Sequence, residues 1–248
     1  MAAGTAPVAI GRRVMLKLSG ELLGGPQGVG LDADGIAGIA DQIHGAAAAG
    51  SEVAVVLGGG NVLRGARAGE ILERTAADGI GMLATLINAV AMREAVARRG
   101  LRARVLSALA VPQIADLYRP DLGRDLLCAK HVLLLAGGTG NPYFSTDTAA
   151  ALRALELECT LLVKGTKVDG VFDRDPREDP QAERYAHLSY DEVLAQRLGV
   201  MDLTAITLCM ENRLPVVVLN ATVAGSVRRF LEGHAVGTLI SAASEARR

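Results

Sequence analysis

Short apolar runs recur along the chain and constrain its fold more than any other feature of the sequence. Val, Leu, Ile and Ala follow one another in these runs with few interruptions, whereas a strand with one solvated face alternates apolar and polar residues. Such runs are typical of strands that are buried on both faces of a sheet. We predict these strands at Val14–Leu18, Val53–Leu57, Arg104–Ser107, Val132–Leu135, Thr160–Val163 and Val216–Leu219.

Helical patterns separate the predicted strands. Apolar residues recur every three or four positions after Asp32, a suitable N-cap, and again from Met82 onward. Gly50 and Gly100 come after these two segments, and glycine is common just beyond a helix end. Strands that alternate with helices indicate parallel pairing through crossover connections. The predicted fold is therefore α/β, a three-layer α/β/α sandwich around a mostly parallel central sheet.

The second half of the chain contains signals for smaller elements. Ser189 and Glu192 have the spacing of a capping box at the start of a helix. A further helix is predicted from Asp202 to Glu211. An Asp-Gly turn at residues 169–170 predicts a small hairpin that projects from the sheet.

The length and charge of the chain exclude several classes of protein. The chain has 248 residues and no linker-like segment, so we predict one domain over residues 1–248, with residues 1–12 as a flexible N-terminal extension. The net charge is −1 and aromatic residues make up 3%, so neither long-range attraction nor base stacking favours a nucleic acid partner. The three cysteines are widely spaced, which argues against a disulfide framework. The sequence shows no signal-peptide pattern and no apolar run of about 18 residues. We therefore expect a cytoplasmic protein and no membrane partner.

Glycine and lysine residues follow four of the predicted strands, and ligands bind at the carboxyl ends of strands in open α/β sheets. The sequences at these ends are Lys17–Gly20, Gly58–Asn61, Gly137–Asn141 and Lys164–Lys167. Glycine turns at helix N-termini bind oxyanions through backbone N–H groups. Lys17 and Lys164 need anionic partners, because burying an unpaired ammonium group is costly. The pattern predicts a site that holds two phosphorylated groups, as a kinase requires.

Two further charged residues extend the predicted site. Arg64 lies shortly after the glycine run and is expected to add a cation near the same phosphates. Asp147 is at the start of a predicted helix, where an acidic residue also stabilises the helix dipole, and we expect it to orient the two lysines. The sequence has no Walker motif, no histidines with metal-ligand spacing and no serine-nucleophile elbow. The residues alone leave the phosphoryl acceptor open.

Longer motifs resemble those of a known family. They are Leu16–Glu21, Gly58–Asn61 with Arg64, Gly81–Thr85, Ala91–Arg93, Gly138–Asp147, Lys164–Phe172 and Val200–Asp202. Through them the chain resembles the bacterial uridylate (UMP) kinases, of the amino acid kinase fold family, over nearly its whole length. The resemblance implies transfer of the γ-phosphoryl group of Mg-ATP to UMP, which gives UDP and ADP in pyrimidine nucleotide synthesis.

The resemblance also implies roles for individual residues. Lys17, Lys164 and Asp147 would be catalytic, and Mg²⁺ would arrive with ATP and have few or no direct protein ligands. The residues implied in ATP binding are Lys17, Leu18, Ser19, Gly20, Gly60, Arg64, Thr166, Phe172 and Asp175. The residues implied in UMP binding are Gly59, Asp78, Thr139, Gly140, Asn141, Pro142, Tyr143, Phe144, Ser145 and Thr146.

Assembly and regulation are implied by the same resemblance. Members of the family are typically homohexamers that GTP activates and UTP inhibits. Arg93, Arg104 and His131 occupy positions that resemble a GTP effector site. We therefore expect a homohexamer with GTP and UTP as effectors.

Two other functions remain open at this point. A kinase of the same fold could phosphorylate a carboxylate or a carbamate, because spacing alone does not identify the acceptor. The chain could also be a regulatory protein that senses nucleotides and acts through a partner. The presence of Lys17, Lys164 and Asp147 counts against regulation as the main role.

Overall fold

A nine-stranded sheet forms the centre of the protein in a computed structural model, which describes residues 12–63, 72–176, 178–179 and 181–242. The strands are β1 (Arg13–Leu18), β2 (Glu52–Leu57), β3 (Ala103–Ser107), β4 (Asp116–Leu117), β5 (Val132–Ala136), β6 (Leu161–Thr166), β7 (His187–Ser189), β8 (Val216–Asn220) and β9 (Thr238–Ser241). Their order is β4-β3-β5-β2-β1-β6-β8-β9-β7, and β8 with β9 is the antiparallel pair of an otherwise parallel sheet. The predicted mostly parallel sheet is confirmed.

Helices cover both faces of the sheet. Within the described residues they are α1 (Ala33–Ala48), α2 (Arg74–Ala97), α3 (Pro120–Cys128), α4 (Thr146–Glu156), α5 (Tyr190–Ala195), α6 (Leu203–Glu211) and α7 (Ser226–Leu231). One apolar core joins the sheet to α1, α2 and α7, and a second joins it to α3, α4, α5 and α6. Neighbouring residues of β1 divide between the two cores, since Leu16 lies in the first and Met15 in the second. The protein is therefore the α/β/α sandwich that the sequence predicts.

The helix starts follow the capping signals in the sequence. Asp32 accepts a hydrogen bond from the Gly35 N–H at 2.8 Å and caps α1. Ser189 and Glu192 form both hydrogen bonds of a capping box at the start of α5. Asp202 is the N-cap of α6, so the helix itself begins one residue later than predicted.

Residues 167–172 do not form the predicted hairpin. Phe172 pairs in an antiparallel bridge with Arg184, and the Val171 N–H donates to Thr238 Oγ1 at 2.9 Å. A Cβ on Gly170 would lie 2.6 Å from that same oxygen, so glycine is required here by close packing. Contacts with residues distant in sequence outweigh the local preference of an Asp-Gly pair for a hairpin turn.

Helix α2 is long and apolar enough to cross a membrane by length and composition alone, with a mean hydropathy of 1.4 over its most apolar window. The sequence expectation, which considered only uninterrupted apolar runs, did not identify it. In this fold the helix packs on the sheet, and Leu86, Ala89, Met92 and Val96 lie in the first core. A core helix of this kind meets the same criterion as a membrane span, so the finding is weak evidence for one.

Candidate active site

The candidate site lies where the order of the strands reverses. Strand β1 pairs with β2 on one side and with β6 on the other, so the chain leaves it in both directions across the sheet. In open α/β sheets such a switch point opens a crevice at the carboxyl ends of the strands. The glycine-rich and lysine-containing segments predicted from the sequence lie at or just beyond the carboxyl ends of β1, β2, β5 and β6, and therefore meet at this edge.

Register brings the two predicted lysines together. Lys17 of β1 is directly paired with Lys164 of β6 in the parallel ladder, so both side chains leave the same face of the sheet. Lys164 lies inside β6 and does not follow its end, because the strand continues to Thr166. Only 11% of the Lys17 side chain and 15% of the Lys164 side chain are exposed. Two buried ammonium groups on adjacent strands repel each other unless an anion lies between them.

Asp147 provides this anion. Its Oδ1 lies 2.8 Å from Lys17 Nζ, and its Oδ2 accepts a hydrogen bond from Lys164 Nζ at 2.8 Å. The carboxylate projects from the first turn of α4, where Ser145 is the N-cap and accepts from the N–H groups of residues 147 and 148. The expected contact between Asp147 and both lysines is present, and its catalytic role remains a prediction.

The three charges determine what the site can bind. Burial by itself would raise the pKa of Asp147, but the charges and hydrogen bonds of Lys17 and Lys164 outweigh it and hold that pKa below its ordinary value. Burial lowers the pKa of Lys164, and the attraction of Asp147 only partly offsets this effect. One ionised carboxylate between two ammonium groups leaves a surplus positive charge, which suits the binding of a phosphate.

The first glycine segment is fixed by close backbone approach. A Cβ on Gly20 would lie 2.3 Å from the carbonyl oxygen of Gly58 and 2.5 Å from Asn61 Oδ1, so no side chain fits there. A Cβ on Gly59 would lie 2.8 Å from the carbonyl oxygen of Gly81, where α2 packs against the segment. The ends of β1 and β2 are thereby held against each other and against α2.

The segment after β5 has a left-handed backbone. Gly137, Gly138 and Gly140 have φ values of 77°, 60° and 84°, which glycine adopts at little cost. Thr139 Oγ1 accepts from the Asn141 N–H at 3.2 Å, which tightens the turn. The Gly140 N–H donates to the carbonyl oxygen of Gly137 at 2.9 Å, which closes the turn.

Polar side chains on the inner face of α2 hold both glycine segments. Asn88 donates to the carbonyl oxygen of Gly58 at 2.7 Å and exchanges two hydrogen bonds with Asn61. Thr85 Oγ1 accepts from the Gly137 N–H at 2.9 Å. Sequence reasoning did not assign a role to Asn88, which is fully buried. An asparagine in the middle of an apolar helix face is the signal that would have identified it.

Most of the residues predicted for ATP lie in or after β1 and β6, whereas Gly60 follows β2. Leu18 ends β1, and Ser19 and Gly20 follow it. Gly60 lies close to the side chain of Glu21, whose Cγ would be 3.6 Å from a Cβ on Gly60. The remaining described members are Thr166, at the end of β6, and Phe172 and Asp175, in the segment that follows. Arg64 lies outside the described residues.

The residues predicted for UMP lie on the β2 and β5 side. Asp78 in the second turn of α2 accepts from the Tyr143 N–H at 2.7 Å and from Arg74 Nε at 2.8 Å. Burial would raise the pKa of Asp78, but these two donors hold it below its ordinary value. Tyr143 and Phe144 are exposed at the tip of the loop, and Thr146 Oγ1 would lie 3.6 Å from a Cβ on Gly58. The structure therefore brings Gly59, Asp78 and the 139–146 loop to one side of the lysine pair.

The three predicted effector residues lie away from this site. Arg104 is near the start of β3 and His131 directly precedes β5, so both are at the amino edge of the sheet, opposite the lysines. Arg93 is in the last part of α2 and pairs with Glu94, whereas Arg104 pairs with Asp116. His131 Nδ1 is buried and has no hydrogen-bond partner. Within the described part of the chain, no hydrogen bond or ion pair joins the three residues.

The donor set bears on metal binding. Among the described residues there is no group of three or more His, Cys, Asp or Glu side chains placed to hold a metal ion. Both oxygens of Asp147 already contact lysines. A divalent cation at this site would therefore find its ligands mainly on bound phosphates.

Comparison with known proteins identifies close relatives. A sequence profile of the Amino acid kinase family matches residues 12–220. A protein named uridylate kinase, from Methylococcus capsulatus, is 46% identical over 230 residues, which cover 92% of this chain and 96% of that protein.

Solved structures agree with the sequence relationship. The UMP kinase from Bacillus anthracis superposes with a TM-score of 0.90 at 33% identity, covering 93% of this chain and 96% of that chain. The UMP kinase from Ureaplasma parvum gives a TM-score of 0.87 at 35% identity, covering 92% and 98%. The fold is thus shared with these proteins over almost their whole length.

Proposed function

The chain belongs to the amino acid kinase family, and we propose that it is a uridylate (UMP) kinase, which transfers the γ-phosphoryl group of ATP to UMP and gives UDP and ADP. The observation that carries the proposal is the pairing of Lys17 and Lys164 with Asp147 between two glycine-rich segments. The choice of UMP as the phosphoryl acceptor rests on the similarity to the uridylate kinase with 46% identity and to the two UMP kinase structures.

The chemistry needs positioned charge and no protein base. The second pKa of a phosphate monoester is about 6, so UMP is mostly a dianion at neutral pH and its oxygen attacks the γ-phosphorus in line. Lys17 and Lys164 stabilise the charge on the phosphoryl group as it moves from donor to acceptor. Asp147 keeps both ammonium groups directed at the same point. These three residues are the catalytic ones in this proposal.

The two nucleotides occupy opposite sides of the lysine pair. On the ATP side, the proposal uses the residues after β1 and β6, with Gly20 and Gly60 next to the phosphates. On the UMP side it uses Gly59, Asp78 and the 139–146 loop. The order β5-β2-β1-β6 supports this division for the residues that follow β5 and β6, because these strands lie on opposite sides of β1. Gly60 follows β2, as Gly59 does, and its place on the ATP side rests on the resemblance alone.

Magnesium enters this proposal as the counter-ion of ATP. It neutralises part of the phosphate charge when it is bound. Its ligands would come mainly from phosphate oxygens and water, because Asp147 is already shared between two lysines. The residues present fit such a substrate-borne ion.

Assembly and regulation extend the proposal. Helix α2 exposes Leu83 and Ile87, beside a groove of about 550 Å³ that Ile114 also lines, which supports a homohexamer in which copies cover this face. GTP as activator would bind near Arg93, Arg104 and His131, where the buried Nδ1 lacks a partner. UTP would inhibit through the UMP side. The proposed location is the cytoplasm and the proposed pathway is pyrimidine nucleotide synthesis.

The acceptor is tested by coupled detection of ADP release from Mg-ATP. UMP, CMP, dUMP and a panel of amino acids and carbamate are compared, each with and without GTP. We expect turnover with UMP far above that with any carboxylate or carbamate, and an increase when GTP is added. ADP release with a carboxylate and none with UMP would keep the fold and overturn the function, and no response to GTP would remove the effector proposal alone.

A further inference from the structure

Asp202 is a carboxylate next to the lysine pair that the proposed mechanism does not use. It is the N-cap of α6, where Oδ1 accepts from the Ala205 N–H at 3.0 Å. Thr148 Oγ1 also donates to Asp202, at 2.8 Å to Oδ1 and 3.0 Å to Oδ2. Ser145 Oγ donates to Oδ2. One side chain therefore joins the start of α6 to the first turn of α4.

The contact with Ser145 fixes the direction of a hydroxyl hydrogen. An ionised carboxylate only accepts hydrogen bonds, so the Ser145 hydroxyl hydrogen points at Asp202. Both lone pairs of Oγ are then free to accept from the N–H groups of Asp147, at 2.9 Å, and Thr148, at 3.1 Å. The cap of α4, and with it the position of the Asp147 carboxylate, depends on Asp202.

The segment that carries Asp202 also contacts Lys164. The Lys164 ammonium group donates to the carbonyl oxygen of Val200 as well as to Asp147. The groups that face Lys164 are Asp147 from α4, Lys17 from β1 and the Asp202 carboxylate, which attracts it. The thiol of Cys209 on α6 is neutral, because burial and the carboxylates of Asp147 and Asp202 raise its pKa to about 12. Asp202 thus adds a negative charge near Lys164 beyond the direct contact with Asp147.

We propose that Asp202 is a positioning residue for phosphoryl transfer: it holds the first turn of α4 so that Asp147 faces both lysines, and it supplies the second negative charge near Lys164. The inference rests on the proposed kinase function. It assigns Asp202 no contact with either nucleotide.

The Asp202→Asn variant tests the proposal. Asn keeps the shape and one oxygen, which can still cap α6 at the Oδ1 position. Its NH₂ group then replaces Oδ2 and presents hydrogens to a Ser145 oxygen that already accepts from two N–H groups. The matched control is Asp32→Asn, because Asp32 caps α1 in the same way and contacts neither lysine.

We expect Asp202→Asn to lower kcat about 10- to 100-fold with little change in the KM for ATP or UMP, as expected for misplaced catalytic groups. Removing a negative charge near Lys164 lowers its pKa further, so the alkaline limb of the kcat–pH profile moves to lower pH. Asp32→Asn should match the wild type in both respects, since Asn and Asp cap helices equally well. A kcat and a pH profile equal to those of Asp32→Asn would overturn the proposal.

A second variant separates geometry from charge. Thr148→Val removes the hydroxyl that donates to both oxygens of Asp202 and keeps the shape and the charge of the site. We expect a smaller loss of kcat, unchanged KM values and an unchanged alkaline limb. If Asp202→Asn does not fold, this variant decides the matter, and a wild-type kcat would contradict the positioning role.

Failure of the inference is distinct from failure of the proposed function. If the wild-type protein forms no UDP, the kinase proposal fails before any variant is compared. If it forms UDP and neither variant changes kcat, the kinase proposal stands and the role of Asp202 is wrong.

Discussion

Replacing Asp147 with Asn is expected to lower kcat about 100- to 1000-fold, with much smaller changes in the KM for ATP and for UMP. The amide NH₂ cannot accept a hydrogen bond from an ammonium group, so one of the two lysines loses its partner. Lys17 and Lys164 then repel each other across the paired strands and no longer converge on one point. Steady-state kinetics with both nucleotides varied measure the effect, because interactions that matter most in the transition state appear in kcat.

The matched control for this prediction is Asp121→Asn. Asp121 occupies the same position in the first turn of α3 as Asp147 does in α4, but it is exposed and pairs with Arg119. This control changes a helix-start carboxylate without touching the lysines, and it should leave kcat near the wild-type value. An Asp147→Asn enzyme with normal kcat and a raised KM for UMP would show that Asp147 binds the acceptor instead of orienting the lysines.

Replacing Lys17 with Met is expected to lower kcat by about 1000-fold, which corresponds to about 4 kcal/mol of lost transition-state stabilisation. Met has a similar length and fits the buried end of β1, but it carries no charge. The remaining Asp147 and Lys164 then sum to zero, so the surplus positive charge that attracts the transferred phosphoryl group is lost. Single-turnover kinetics at saturating ATP and UMP separate this loss from weaker binding.

Lys167→Met is the control for the charge on this edge of the sheet. Lys167 lies just beyond β6, with 49% of its side chain exposed and Glu21 as a distant partner at 3.9 Å. Its removal changes the net charge by the same amount and should lower kcat only slightly, because exposed charges are screened by solvent. Similar losses in both variants would mean that general attraction of nucleotides, and no specific contact by Lys17, accounts for the effect.

The strands that form the site could be predicted from the sequence because buried parallel strands contain continuous apolar residues. Each of the six predicted strands overlaps a strand of the sheet, although β6 begins at Leu161 and not at Thr160. The end of β6 was placed too early, at Val163, because Lys164 interrupts the apolar run although it belongs to the strand. Strands β4, β7 and β9 were missed, since each is short and owes its existence to pairing with residues far away in sequence.

The centre of the site was also accessible from the sequence. Lys17 and Lys164 stand out because ammonium groups in buried strands need an anion, and Asp147 stands out because it follows a glycine-rich loop at a helix start. The contacts among these three residues agree with that reasoning. The distances themselves depend on the register between β1 and β6, which no local pattern in the sequence specifies.

The supporting residues could not be predicted in the same way. The local sequence around Asp202 predicts a helix cap, and Asp202 is one. Its contacts with Ser145 and Thr148 form only because α4 and α6 pack together. Asn88 reads as a residue of a long helix, and its hydrogen bond to Gly58 depends on how α2 crosses the sheet. Such roles come from tertiary packing, which local sequence patterns do not contain.

The most direct test of the central claim is to follow the phosphoryl group itself. The protein is incubated with magnesium, UMP and ATP that carries a radioactive γ-phosphoryl group, and the products are separated by chromatography. Direct transfer at the Lys17–Asp147–Lys164 site predicts that the label appears in UDP, in equal amount to the ADP formed, and that Asp147→Asn slows both together. Release of the label as inorganic phosphate, with no labelled UDP, would contradict the account.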